Sequence, residues 1–306
     1  MKIAAIDCGT NSIRLLIMDY QKADQSLTEI IREMRIVRLG EGVDQTKSFS
    51  EAALTRTKAA IEEYAKLIEH YSVEKIRFVA TSATRDANNR DIFFVMVKKA
   101  LGIEAEVITG EEEAALSFAG ATRSLASKLE GPFLVIDLGG GSTELVVGQQ
   151  TPTTAYSMNV GCVRMTERHA PGGNPTDSQE QAIRADVRAA LAAAREKVDF
   201  SNVKTVIGVA GTVTTVAAHA LKIDKYDPNV LHGAAISSQQ VSQTAVDFIK
   251  LSFEERAALP YMHPGRVEVI TAGAIVLDEI IKEIKANKLI ASERDILDGV
   301  AWSIVA

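Results

Sequence analysis

The sequence predicts an α/β protein made of two duplicated domains, each a mixed sheet with helices on its faces. Three observations lead there. Ile6-Asp7-Cys8-Gly9-Thr10-Asn11-Ser12-Ile13-Arg14-Leu15 returns 130 positions later as Ile136-Asp137-Leu138-Gly139-Gly140-Gly141-Ser142-Thr143-Glu144-Leu145. The order of strands and helices around the first copy largely returns around the second. The 306 residues also suit two domains of roughly 150 each.

In the first half, residues 2–7, 13–20 and 28–38 alternate or run apolar and read as three strands, with a hairpin at 8–12. Ser50 caps a periodic helical stretch from 51 to about 71. A strand at 75–80, a helix at 91–100, a strand at 105–108 and a helix at 111–125 complete the order βββαβαβα. The polar segment 127–132 ends in Gly-Pro and reads as a linker. The expected domains are therefore 1–125 and 126–306, with the closing helix free to pack back on the first.

The second half is expected to place strands at 133–138, 143–149 and 153–158, helices at 161–169 and 178–198, a strand at 203–209 and a helix from Gly211. The loop Pro171-Gly172-Gly173-Asn174-Pro175 is a turn before a helix that Asp177 or Ser178 would cap, and carries no chemistry in this reading. Helices at 236–249, 252–258 and 266–285, a strand at 287–291 and a helix at 295–306 follow.

Composition excludes several classes. With 46% hydrophobic and 24% charged residues the chain can bury a large core. A net charge of −6 gives no general attraction to nucleic acid or anionic membrane, so any polyanion must be recognised locally. The start lacks signal-peptide character, and no apolar run approaches the ~20 residues of a membrane span. Cys8 and Cys162 have no metal or redox spacing, which suits a reduced, cytoplasmic protein.

Both repeated turns suit an anion. Glycine lets the backbone come close, and successive N–H groups form a concave nest; two such hairpins facing each other would make a cleft between related domains. Asp7 and Asp137 each close a strand before such a turn, where a carboxylate holds a divalent cation or bonds the turn's own N–H groups. Glu144 across the hairpin tips Asp137 toward the cation. Gly208-Val209-Ala210-Gly211-Thr212-Val213-Thr214 places a third glycine turn where a strand becomes a helix, an arrangement that binds phosphate or simply turns the chain.

Thr81-Ser82-Ala83-Thr84-Arg85 follows a strand, so Arg85 is either a bidentate phosphate ligand or a surface residue after a helix cap. Arg14, just past the first turn, carries the same two readings. Thr109-Gly110-Glu111-Glu112-Glu113-Ala114 opens a helix with three acids, which complement the helix dipole. At about 100° per residue one at most faces a site, where it could deprotonate water. The five histidines, His70, His169, His219, His232 and His263, lack metal-ligand spacing, and neither a nucleophile elbow nor a Walker lysine motif is present.

Taken together, these motifs resemble the exopolyphosphatase/guanosine pentaphosphate phosphohydrolase (Ppx/GppA) family over essentially the whole chain. Asp137–Glu144 is the most specific element, and Pro260-Tyr261-Met262-His263-Pro264-Gly265-Arg266 with Gly273 is similar to a later family signature. The resemblance implies an actin-like, sugar-kinase-type pair of ribonuclease H-like domains and hydrolysis of a terminal phosphoanhydride with Mg²⁺ or Mn²⁺. Glu113 falls on the base of the Gly-x-Glu-Glu motif. Asp137 and Glu144 match the acids associated with metal and water. Asn11, Ser12, Arg14, Arg85, Gly140, Gly141, Ser142, Thr143, Gly211 and Thr212 match phosphate-contacting loops.

Two departures qualify this. Longer relatives continue into helical C-terminal domains, so a short form acting on shorter polyphosphate is expected. Leu297 stands where many relatives carry an arginine before the acid at Asp298. The expected substrate is inorganic polyphosphate, with pppGpp, the 5'-phosphohydrolase substrate, as the alternative; an ATP-binding kinase or switch of the same superfamily is the third reading. A homodimer is a family expectation; nucleic acid and membrane partners are not expected.

Overall fold

Six of the seven residues of Lys2–Cys8 (β1) are buried, so this strand must lie inside a sheet covered on both faces. The computed structural model describes all 306 residues, Met1–Ala306. It divides into two units, Met1–Gly120 with Ile296–Ala306, and Ala121–Asp295.

In the first unit β1 is central to a five-stranded sheet of order β3-β2-β1-β4-β5, with β2 at Ser12–Gln21, β3 at Ser26–Ile36, β4 at Lys75–Ala80 and β5 at Glu106–Val107. It pairs antiparallel with β2 and parallel with β4. The pleat sends alternate β1 residues to opposite faces. Ala4 and Ile6 pack with Ile61, Tyr64, Phe93 and Val97, which lie on the helices Glu51–His70 (α2) and Arg90–Leu101 (α4). Ile3 and Ala5 instead meet Leu297 and Val300 of the last helix, α13, Ile296–Ser303. Gly299 on that helix lies against the Leu116 carbonyl of α5, Gly110–Arg123, where any side chain would collide. Short helices at Val43–Thr46 (α1) and Ser82–Asp86 (α3) complete this unit.

The second unit repeats the arrangement. Phe133–Leu138 (β6) pairs antiparallel with Thr143–Gly148 (β7) and parallel with Thr205–Val209 (β9). Pro152–Met158 (β8), Ala235–Ser237 (β10) and Lys288–Ala291 (β11) complete a six-stranded sheet of order β10-β11-β9-β6-β7-β8. Its helices are Cys162–His169 (α6), Asp177–Arg195 (α7), Ala210–Ala220 (α8), Pro228–Leu231 (α9), Ser238–Lys250 (α10), Phe253–Ala257 (α11) and Ile270–Glu283 (α12). All of α12 except its last two residues is buried, which makes it the core helix of this unit.

Several boundaries differ from expectation, each for a local reason. Ser82–Asp86, directly after β4, winds into a short helix, α3, absent from the expected element order. The helix expected at 236–249 begins only at Ser238: Ser237 forms a capping box with Gln240, while Ala235–Ser237 pairs antiparallel with β11. Thr176, not Asp177 or Ser178, caps α7 in a box with Gln179. The helix expected from 266 begins at Ile270, after a tight turn at Pro264–Arg266. No helix is long and apolar enough to cross a membrane.

Candidate active site

In the first unit the candidate groups gather at the carboxyl ends of β1 and β4. The Gly9 N–H donates to Ser12 O at 2.9 Å and closes the turn. The carbonyls of Thr10 and Asn11 accept from the N–H groups of Gly40, Val37 and Arg38. Thr81 N–H donates to Cys8 O at 3.2 Å, which sets α3 beside this turn. Asn11 and Ser12 are half-buried at its tip.

Asp7 and Arg14 stand opposite each other in the β1–β2 register. The Arg14 Nη2 donates to Asp7 Oδ2 at 2.6 Å and its Nε to the same oxygen at 3.1 Å. Arg85, on α3, donates through Nη1 to Ile108 O at 3.0 Å and to Glu113 Oε2 at 2.7 Å. No protein group accepts from its Nε or Nη2, so part of the guanidinium fork is left for another anion. Of the three acids opening α5, Glu111 and Glu112 are exposed and Glu112 pairs with Arg77. Glu113 alone is buried, at 8% exposure.

The second unit carries the same turn. Gly139 N–H donates to Ser142 O at 3.0 Å. The Gly139 carbonyl accepts from Cys162 N–H, and that of Gly140 from Val163 and Arg164; Arg164 Nε donates to Gly141 O at 2.7 Å. The carbonyls are tied to α6 and the Gly140 and Gly141 amides take no backbone bond, an arrangement that suits an anion. Gly161 permits this contact, because a Cβ there would strike the Gly140 backbone. Ser142 is buried, and Thr143 Oγ1 donates to Val160 O at 2.6 Å.

Asp137 and Glu144 are register partners across β6 and β7, so their side chains share one face of the sheet. Both are buried, and Ser157 Oγ donates to Glu144 Oε1 at 2.7 Å. No group of three or more His, Cys, Asp or Glu side chains forms a metal cage. A buried carboxylate pair nevertheless fits Mg²⁺, which is bound through one or two carboxylates, with water and substrate phosphate filling the remaining positions.

The third glycine turn follows β9, next to β6 in the sheet. Ala210 takes a left-handed φ of 71°, a conformation costing about 1–2 kcal/mol outside glycine, and α8 begins there without a side-chain cap. Gly211 is half-buried and Thr212 buried. Over Gly211 lies the Arg266 guanidinium, where a Cβ on Gly211 would meet it, and its Nη1 donates to Thr215 Oγ1 at 3.2 Å. In the sequence Arg266 belongs to a Pro-Gly-Arg stretch, and nothing local there signals where its side chain goes. Leu297 is fully buried, and Asp298 accepts both arms of Arg32, at 2.7 and 3.2 Å.

Neither cysteine is a nucleophile in this setting. Burial, then the Asp7 charge, pushes the Cys8 thiol up. Burial does the same to Cys162 against the opposing pull of Thr212 and Arg266. Both stay neutral thiols, inert in packed surroundings.

Comparison with known proteins gives the family. The model of the Ppx/GppA phosphatase family matches residues 19–306. Exopolyphosphatase 2 of Mycobacterium tuberculosis is 45% identical over 99% of this chain and 98% of its own length. The crystal structure of an exopolyphosphatase-like protein superposes with a TM-score of 0.95 at 40% identity, covering 99% of this chain and 97% of that one. The Aquifex aeolicus Ppx/GppA family member does so at 0.81 and 32% identity, covering 100% and 97%. The two mixed sheets flanked by helices are the actin-like fold of these relatives.

Proposed function

This chain belongs to the Ppx/GppA phosphatase family, and we propose that it is an exopolyphosphatase, releasing terminal orthophosphate from short inorganic polyphosphate in the cytoplasm. It is a phosphoanhydride hydrolase that uses water as nucleophile. The observation that carries the residue roles is Glu113, the one buried acid of its helix start, held 2.7 Å from an arginine whose fork is only partly used.

The Arg85 guanidinium orients the Glu113 carboxylate, and Glu113 takes a proton from water as that water attacks the terminal phosphorus in line. The P–O bond to the leaving chain breaks, and its oxygen departs with the bond's electrons. Arg85 and Arg14 offer charge-assisted hydrogen bonds to phosphate oxygens, and the amides of the two hairpin turns, with the start of α8, offer uncharged ones. Asp137 and Glu144 would hold the divalent cation, Mg²⁺ in this reading, which supplies charge neutralisation at the phosphates. Positioning and electrostatics provide most of the acceleration, as in phosphoryl transfer generally.

The test is phosphate release from polyphosphates of graded length and from pppGpp, with and without Mg²⁺. Faster, cation-dependent release from short polyphosphate is expected. Release from pppGpp alone would move the substrate to the nucleotide. Glu113→Gln should lower kcat by about a hundredfold to ten-thousandfold while polyphosphate still binds; near-normal turnover would remove Glu113 from its role.

A further inference from the structure

Two features of the second unit have no part in this chemistry: the loop at 171–175 and a fully buried arginine. Arg256 lies on α11, whose start is fixed by a capping box between Ser252 and Glu255. It is 0% exposed and no carboxylate meets it. Its Nη1 donates to Leu251 O at 2.7 Å and Phe248 O at 3.2 Å, its Nε to Val267 O at 3.2 Å, and its Nη2 to Asn174 Oδ1 at 2.8 Å. Leu251 and Phe248 close α10, so the cation faces the negative end of a helix dipole.

Capping α10 requires neither Asn174 nor Val267, and burying a charge with no carboxylate hydrogen-bonded to it is costly. The extra bonds have a common target. Arg256 holds the Val267 carbonyl, while Gly173, at φ 82°, packs so closely on Glu268 that a Cβ would strike its carbonyl oxygen. Asn174 joins both sides, accepting from Arg256 and donating through Nδ2 to Leu251 O at 3.0 Å. The stretch so gripped begins one residue after Arg266, whose guanidinium covers the Gly211 turn.

We propose that Arg256 and Asn174 are positioning residues for Arg266: they clamp the backbone at 267–268 and thereby hold the Arg266 guanidinium over the Gly211–Thr212 turn, where substrate phosphate binds. The proposal rests on the phosphate-binding reading of that turn. Each of Arg256→Met and Asn174→Ala is made alone and combined with Arg266→Ala. Two readouts are taken: amide hydrogen exchange without ligand, and KM and kcat for short polyphosphate.

In Asn174→Ala, exchange should quicken by about tenfold at the amides of Arg266 and Val269, which donate to His263 O and Arg266 O, with the unfolding midpoint unmoved. KM should rise by about fivefold with kcat nearly constant, and that rise should vanish when Arg266 is already alanine. Arg256→Met should do the same more strongly; should it fail to fold, the exposed Asn174 carries the test. Unchanged exchange, an unchanged KM despite faster exchange, or an equal KM rise in the Arg266→Ala background would each overturn the clamp. Failure of the unaltered protein to cleave polyphosphate would sink the functional reading, while the exchange arm still judges the clamp.

Discussion

The turn at Gly9–Ser12 and the turn at Gly139–Ser142 have nearly the same backbone and opposite electrostatics. Each is closed by a glycine N–H bonded to a serine carbonyl, at 2.9 and 3.0 Å, and each has two other carbonyls bonded by a following segment. Each also follows an aspartate. The difference is the residue facing that aspartate across the hairpin: Arg14 against Asp7, and Glu144 against Asp137. The first pairing neutralises itself through a bond of 2.6 Å. The second places two carboxylates on one buried face, where like charges raise the demand for a neutralising partner. One backbone device therefore carries an ion pair in one unit and, in the other, the buried carboxylate pair proposed above to hold the cation.

Exchanging the pairings is the strongest way to break this comparison. Glu144→Arg gives the second hairpin the first one's chemistry, and should lower Mg²⁺-dependent phosphate release by about a thousandfold and abolish calorimetric Mg²⁺ binding. Activity within tenfold of the starting protein would show that the carboxylate pair is not the cation seat. The reverse change, Arg14→Glu, strips a buried aspartate of its partner and should cost about 3 kcal/mol in urea unfolding. Mg²⁺ should restore part of that loss, and indifference to Mg²⁺ would show that a second acid alone does not create a cation seat.

A finer contrast concerns the supports beneath the turns. Gly161 abuts the Gly140 backbone, whereas Gly40 abuts the Thr10 side chain. Backbone cannot step aside and a side chain can partly do so. Gly161→Ala should therefore lose about 2–3 kcal/mol in thermal unfolding and Gly40→Ala nearer 1 kcal/mol. Equal losses would mean that both turns yield to the same degree.

The α/β class and most strands were legible because their signals are local, whereas the actin-like fold was reached through the family resemblance. Apolar alternation, Gly-rich turns and caps such as Ser50 act within a few residues of themselves. Where nearby elements compete, reading by period failed. Ile236 fits a helical stripe, yet the capping box at Ser237 starts α10 after it and leaves β10 to pair with β11. The site divides in the same way. The facing of Asp137 and Glu144 follows from hairpin spacing. The bond between Arg85 and Glu113 joins positions 28 apart, and the overlay of Arg266 on Gly211 joins positions 55 apart, so both depend on tertiary packing. Arg256 gave no signal at all, because an arginine without an acid partner looks like surface until its carbonyl acceptors are in place.

The closing helix bears on how the polypeptide matures during translation. Residues 121–295 form one uninterrupted stretch, whereas the first unit also requires 296–306, whose Leu297 and Val300 pack beneath β1. Domains generally fold as they leave the ribosome, earliest portion first. Here the earlier-made portion lacks the α13 partners of Ile3 and Ala5 until 296–306 have been made, so the unit at 121–295 is the first able to finish.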